Sequence, residues 1–475
     1  MDMATASERP ALDPRTQRLL EAPIAATLLR LGAPNVLVML AQAASGLIET
    51  YFVGKLGTDA LAGMSLVFPV VMLMQMTSSG AMGGGIASAI ARALGARKRE
   101  TADALVLHAM LIAVLFGLLF SVGVLGGGRW LYTKMGGSGA ALDAALLYSG
   151  WVFSGAVLIW LANSMAAVVR GTGNMFVPAM VNVAGVILLV PLSALLIFGA
   201  GPVPAFGIAG GGIALLVYYA GCALAMAVYL RSSKSLLRPS FARLRLQWAL
   251  FWDILRVGLV GMVSTVATNL AIGITMGLVG AFGTAAIAGY GTASRLEYLL
   301  VPLVFGLGGP LVAMVGTCLG AGQRERAMRA TWIGAALAFA MAEIIGIAAA
   351  CFPRAWLSLF DTDPAMLQSG AQYLRLVGPL YGFFGLGLVL YFASQGAGRL
   401  LWPVVGNIAR LAVAALGGWL ALRWGNGLEQ VYIAQGVALV VYGLVNAWVI
   451  AAGAWFGPLG WPSSTQRMLA RLSPG

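Results

Sequence analysis

The stretch GTGNMFVPAMVN (171–182) returns as GAGRLLWPVVGN (396–407), both in the frame G-x-G-x4-P-x3-N. The two stand about 225 residues apart. Three further pairs keep the same order and offset: GTDALAG (57–63) with GTAAIAG (283–289), LGARKRETA (94–102) with LGAGQRERA (319–327), and GIALLVYY (212–219) with GVALVVYG (436–443). Apolar segments resemble one another by chance, but a constant offset carried through polar loops marks an internal repeat. The chain is two copies of one unit.

Each copy is made for lipid. Of 475 residues, 60% are hydrophobic and 9% charged, with a mean hydropathy of +0.89; a soluble chain has roughly a quarter charged. The 64 glycines suit membrane helices, where small residues let backbones approach. Crossing the hydrocarbon takes about 20 apolar residues. Runs of that size lie at 26–52, 61–90, 104–126, 145–168, 176–199, 208–230, 255–281, 286–317, 331–352, 372–394, 402–423 and 431–456, which predicts twelve spans. Long runs, rather than short alternating segments, exclude a barrel. The fold class is an all-α integral membrane protein. The expected organisation is a tail 1–25, an N-lobe 26–230, a linker 231–254, a C-lobe 255–456 and a tail 457–475. The basic LGA loop falls on one side in both copies, so each crosses six times. That is a parallel repeat about an axis along the membrane normal, with a substrate cavity expected between the lobes.

Lysine and arginine set the orientation. Arg92, Arg97, Lys98, Arg99, Arg170, Arg231, Lys234, Arg324, Arg326, Arg329 and Arg399 cluster on one side, with Lys55, Arg129, Lys134, Arg354 and Arg423 on the other. Both termini are expected in the cytoplasm, and residues 1–21 lack the pattern of a signal peptide. The formal charge of +13 lies in short loops without a continuous basic stripe, so no nucleic acid is expected. With no CxxC, no HExxH and one histidine, His108, the chain carries no cofactor or metal signature. Cys222, Cys318 and Cys351 read as small hydrophobes. A membrane-embedded enzyme would need a cluster of acids or histidines, and none is visible.

Certain motifs resemble the multidrug and toxic compound extrusion (MATE) transporters. ETYFVGKLGTDALAG (49–63) is similar to that family's first-span signature, VVRGTGNMFVPAMVN (168–182) to its Arg-Gly-x-Gly loop, and SRLEYLLVPLVFGLGGPLVAMVGTCLGAGQRERA (294–327) to its eighth span and following loop. The likeness covers roughly 25–455 and favours the DinF-like branch. It implies two six-helix lobes in a V and drug efflux driven by a proton or sodium gradient. It also implies coupling acids, several of which are replaced: Ser193 stands at the fifth-span position, and Thr268 and Phe384 at those of spans seven and ten.

Glu49 is what remains, as Glu where the family usually has Asp. Its repeat mate is Thr275. One reading makes Glu49 an interfacial acid that reaches water. The other makes it the proton-coupling group, since a carboxyl facing a low-dielectric cavity can load and lose a proton near neutral pH. Gln42 shares its helix face, and Asn163 matches a polar position in relatives; both are candidate hydrogen-bond partners. Pro34, in the same span, is either a static bend or a hinge. Glu343, inside the ninth span, is the competing coupling acid, with Arg375 or Arg410 as a neutralising partner. Met72, Met74 and Met76 form either core or an adaptable substrate surface. Tyr51, Glu297 and Tyr298 are further candidate substrate contacts, as are Trp160, Tyr381 and Tyr391 for a cationic drug.

The expected function is multidrug efflux of organic, often cationic amphiphiles by proton antiport, by a monomer in the bacterial inner membrane. Sodium coupling is the nearest alternative, although sodium wants several converging oxygens. A lipid flippase of related two-lobe plan is another; it would want several basic residues lining the cavity, for which Arg295, Arg375 and Arg410 are candidates.

Overall fold

The computed structural model describes residues 13–239, 246–360, 362–424 and 427–456. It is helical throughout apart from one isolated bridge, Ala200 to Val203. In chain order the helices are α1 (Pro14–Glu21), α2 (Ile24–Gly54), α3 (Thr58–Gln75), a π-helical segment (Met76–Met82), α4 (Gly83–Gly95), α5 (Arg99–Lys134), α6 (Gly139–Ser154), α7 (Ala156–Gly171), α8 (Phe176–Phe198) and α9 (Ile208–Arg231). The second half has α10 (Trp248–Gly280), α11 (Thr284–Gly320), α12 (Arg324–Cys351), α13 (Pro353–Leu357), α14 (Pro364–Val377), a 3-10 turn (Gly378–Leu380), α15 (Tyr381–Ala397), α16 (Leu401–Arg423) and α17 (Leu428–Ala451). Among the described residues eleven helices, some of them composite, are long and apolar enough to cross a membrane. The pair α6–α7, bent by 48°, supplies the twelfth.

The repeated glycines have the same two uses in each copy. Gly173 and Gly398, the second glycines of the G-x-G frame, have φ of 79° and 71°. That is left-handed backbone, which only glycine adopts without strain. The first glycines permit close approach. A Cβ on Gly171 would stand 2.8 Å from the Ala87 carbonyl oxygen, and one on Gly396 2.7 Å from that of Val312. Pro178 and Pro403 fall in the first turns of α8 and α16, where no intrahelical N–H bond is lost. The LGA glycines join the copies. A Cβ on Gly95 would collide with the Thr317 carbonyl, and one on Gly320 with that of Arg92. The lobes therefore meet backbone to backbone on the LGA face.

Polar contacts hold that face shut. Arg92 places Nη2 2.9 Å from both carboxylate oxygens of Asp253, and Nη1 3.3 Å from the Gly396 carbonyl. Ser88 Oγ donates to the same carbonyl at 3.0 Å. Gln395 Nε2 donates to the carbonyls of Gly80 and Ala81 at 3.2 and 3.3 Å. Residues expected to be tail add a strap. Asp13 caps α1, and Pro14 starts it. Leu19 and Leu20 bury against α11 and α12, while Arg15 reaches the Tyr229 hydroxyl of α9 at 3.1 Å. Arg326 donates to the carbonyls of Leu19 and Ala22, at 3.1 and 2.5 Å, satisfying the end of the helix. Thus α1 touches both lobes. Residues 1–12 and 457–475 lie outside the described residues.

The fourth span is broken, and the tenth, continuous from Pro364 to Ala397, tightens into a 3-10 turn, where the sequence shows only unbroken apolar runs. Gly155 interrupts the fourth, and Gly378–Leu380 make the turn in the tenth, at matching places in the repeat. A break or a tightened turn inside lipid leaves backbone groups that need partners. In the N-lobe, Ser121 of α5 donates to the Phe153 carbonyl at 2.6 Å. In the C-lobe, Glu343 of α12 accepts the Gly382 N–H at 2.8 Å. Glu343 thus caps the start of α15 from a neighbouring helix, and this corrects the expectation that Arg375 or Arg410 neutralises it. Arg375 is exposed and Arg410 is engaged elsewhere. Glu343→Gln keeps an acceptor and should transport like the parent. Glu343→Ala should cost about 1–2 kcal/mol in unfolding free energy, the scale of a lost cap. Loss of transport by the Gln variant in a folded protein would contradict the structural role.

A candidate coupling site in the N-lobe

Glu49 sits one and a half turns before the end of α2, half-buried, with its Oε1 fully buried and accepting no hydrogen bond among the described residues. Tyr148 of α6 and Tyr219 of α9 lie within electrostatic reach of its carboxylate. From Tyr219 a chain of polar groups leads inward. Gln75 Nε2 bonds the Tyr219 hydroxyl. Asn163 Nδ2 donates to Gln75 Oε1 at 3.0 Å and to Ser78 Oγ at 2.8 Å. Ser78 belongs to the π-helical segment, a rare geometry that recurs at functional sites. Beside it, the Tyr218 hydroxyl donates to Asn182 Oδ1 at 3.0 Å. Tyr218 and Tyr219 pack edge to face at 4.7 Å.

Neither Gln42 nor Asn163 meets Glu49 directly, contrary to the expected contact. Asn163 reaches its neighbourhood through Gln75 and Tyr219, and Gln42 is exposed. Gln42 lies nearly two full turns from Glu49, too far for direct contact, and the bend at Gly155 aims α7 at the π-helical segment. Tyr148, Tyr218 and Tyr219 escaped the sequence reading. Their signal was available: a hydroxyl carried into hydrocarbon needs a partner.

The C-lobe holds its acid differently. Glu297 Oε1 accepts from Arg410 Nη2 at 2.8 Å, and Oε2 accepts from the Tyr373 hydroxyl at 3.2 Å. The pair is deeply buried, with side-chain exposures of 2% for Arg410 and 13% for Glu297. The guanidinium also lies over the rings of Phe384 and Tyr442, at 5.2 and 5.8 Å. Tyr373 and Tyr148 match in the repeat, so each lobe sets a tyrosine near an acid, but only one acid has a cation. Glu297 is therefore not an open substrate contact. Thr275, the repeat mate of Glu49, is buried and bonds the Ala271 carbonyl and Gln435 Oε1.

The remaining candidates disperse. Tyr51 is 61% exposed beneath the Lys55 ammonium, which lies 4.7 Å from its ring centroid. Met74 is wholly buried, Met72 half-buried and Met76 exposed, so the methionines form no single surface. The Tyr298 side chain lies outside the described residues. Trp160 is core, stacked on Phe116 at 5.1 Å, and Tyr381 and Tyr391 are buried. Arg295 lies over Phe360. His108 is packed: Nδ1 lies 2.8 Å from the Ala104 carbonyl oxygen, and Nε2 lies 3.1 Å from the Gln247 backbone nitrogen. Pro34 lies inside α2, beside the close approach of Gly32 to Gly306 of α11.

The MatE family model matches the chain twice, over residues 34–195 and again over 261–420, in step with the repeat. The chain belongs to the MatE family. Proteins of this family are transporters, not enzymes. Among curated relatives, the FAD transporter of Shewanella oneidensis is 28% identical over 437 residues, covering 90% of this chain and 94% of that protein. The probable multidrug resistance protein YoeA of Bacillus subtilis is 25% identical, covering 79% and 82%. Among solved structures, a MATE in its bent conformation superposes with a TM-score of 0.85 at 23% identity, covering 92% of this chain and 96% of that one. A MOP superfamily transporter from Pyrococcus furiosus, described as having a binding pocket of reverse polarity, gives 0.83 at 22%, covering 92% and 97%. This MatE protein is thus a multi-pass membrane transporter with bacterial relatives, and its helices follow the fold of those structures.

Proposed function

We propose that this MatE protein exports organic amphiphiles, cations among them, across the bacterial cytoplasmic membrane in exchange for protons, with Glu49 as the coupling acid. It acts as a monomer with the LGA face in the cytoplasm. One observation carries the coupling assignment: of the acids well inside spans, Glu297 is tied to Arg410 and Glu343 to the Gly382 N–H, while Glu49 has a buried oxygen with no donor among the described residues. A carboxyl so placed can carry a charge in one state and a proton in another without breaking an ion pair. The chain from Tyr219 through Gln75 to Asn163 and Ser78 would register that change at the π-helical segment. Sodium is the less suited ion. It wants several oxygens converging on one point, and the fifth-span position that carries an acid in similar transporters holds Ser193 here. The test is ethidium export from proteoliposomes with the proton and sodium gradients imposed separately. The proton gradient alone should drive export. Export driven by sodium alone would overturn the reading.

A further inference from the structure

On the LGA side of the protein a cavity of about 370 Å³ opens between the start of α1, the start of α5 and the turn that follows α9. Three stretches far apart in the chain bring four cations to it: Arg15, Arg99, Lys234 and Arg238. The carboxylate in its lining is Asp13, whose Oδ1 accepts the Arg15 backbone N–H at 2.8 Å as the cap of α1. Among the described residues none of the four cations forms an ion pair. The frame around them is fixed by bonds that leave their charges free. The Tyr229 hydroxyl, near the end of α9, accepts from Arg15 Nη1 at 3.1 Å and from Asn174 Nδ2 at 2.9 Å, and donates to the Lys234 carbonyl at 3.4 Å. Asp103 of α5 accepts the Arg238 backbone N–H at 2.7 Å. Even with Asp103 beside them, four cations face two carboxylates. Docking α1 adds Arg15 to three like charges, which repel it. Leu19 and Leu20 anchor the helix in the C-lobe and give no reason for a cation at its other end.

We infer that this cavity binds a phosphate group, which ties α1 to the N-lobe by bridging Arg15 to Arg99, Lys234 and Arg238. Guanidinium groups take phosphate oxygens through paired N–H bonds, and an ammonium adds a point charge. Pro14 and Arg99 are the first residues of α1 and α5, so two helix N-termini border the cavity and add positive potential. Arg99 begins the spanning helix α5, and Ser233 follows the end of the spanning helix α9, which sets the cavity at the depth of lipid headgroups. The phosphate has two sources there, the headgroup of an anionic phospholipid and a free phosphate in the adjoining water. The bound group completes the strap: Arg326 holds the far end of α1 in the C-lobe, and the phosphate holds the near end in the N-lobe. The inference goes beyond the transport reading and does not depend on which ion drives export.

The test is the rate at which N-ethylmaleimide labels Ser233→Cys, an exposed position in the lining, in the full chain with the exposed Cys351 removed by Cys351→Ser. The purified protein is held in detergent at fixed ionic strength. Phosphatidylglycerol, compared with phosphatidylcholine, should slow labelling by at least about fivefold. Inorganic phosphate, compared with chloride, is the second arm. Slowing by the lipid alone assigns the site to a headgroup, and slowing by inorganic phosphate as well assigns it to soluble phosphates; either result upholds the inference. Adding Lys234→Gln with Arg238→Gln should bring the slowing below about twofold. Adding Lys98→Gln with Arg329→Gln, which removes two charges from the same face outside the cavity, should leave it intact. Thermal unfolding is a readout without the cysteine: phosphatidylglycerol should raise the midpoint of the parent and of the Lys98 and Arg329 pair, and leave that of the Lys234 and Arg238 pair unmoved. The comparison within the parent stands even if a charge variant fails to fold. No slowing by either phosphate source, or slowing that persists in the Lys234 and Arg238 pair, overturns the inference.

Discussion

Glu49→Gln is expected to abolish export driven by an imposed pH gradient, lowering the rate by at least about 100-fold, while the protein stays folded and still binds drug. The substitution keeps size and polarity and removes only the ability to lose a proton. It breaks no contact, because Glu49 Oε1 accepts no hydrogen bond among the described residues. It also removes the cost of placing a charge in a low-dielectric site, so unfolding free energy should not fall. Glu49→Asp should retain partial activity, since it keeps a carboxyl but with a shorter reach to the Tyr148 and Tyr219 region. Export assays on the two variants, beside Glu343→Gln, check the set. An active Glu49→Gln beside a dead Glu343→Gln would move the coupling site to the C-lobe.

Arg410→Leu should have the largest effect on stability. The pair with Glu297 is closed from solvent, and removing the cation leaves a buried carboxylate with only the Tyr373 hydroxyl as donor. Breaking one side of such a pair costs about 3–5 kcal/mol. Adding Glu297→Gln to Arg410→Leu should recover most of that loss, because the uncompensated charge is gone. Chemical unfolding of the purified variants measures both. A single variant within about 1 kcal/mol of the parent would mean that the pair is not structural.

The fold was legible because its markers are local. The G-x-G frame recurs since Gly173 and Gly398 need left-handed backbone and Gly171 and Gly396 need contact without a Cβ. Those demands act on single residues and leave a trace at each copy. The span count followed from hydrophobic length alone. What escaped depends on partners distant in sequence. The break at Gly155 and the turn at Gly378–Leu380 lie in runs as apolar as any other, and only Ser121 and Glu343, on neighbouring helices, make them tolerable. Glu343 therefore looked like a rival coupling acid. The docking of α1 depends on Arg326, some three hundred residues away. Glu49 itself was visible from its charge within an apolar span. Its tyrosine neighbours were not, because the rotation of α9 against α2 and α3 decides which hydroxyls face the acid, and spacing along one helix does not report it.

The central claim, that Glu49 gives up its proton when substrate binds, is tested most directly by counting protons. Purified protein in weakly buffered detergent solution at neutral pH is titrated with ethidium while a pH indicator is followed. The parent should release close to one proton per ligand bound, and Glu49→Gln none, at unchanged or moderately weaker affinity. Release from Glu49→Gln equal to that of the parent would contradict the account and place the exchanging proton on another group.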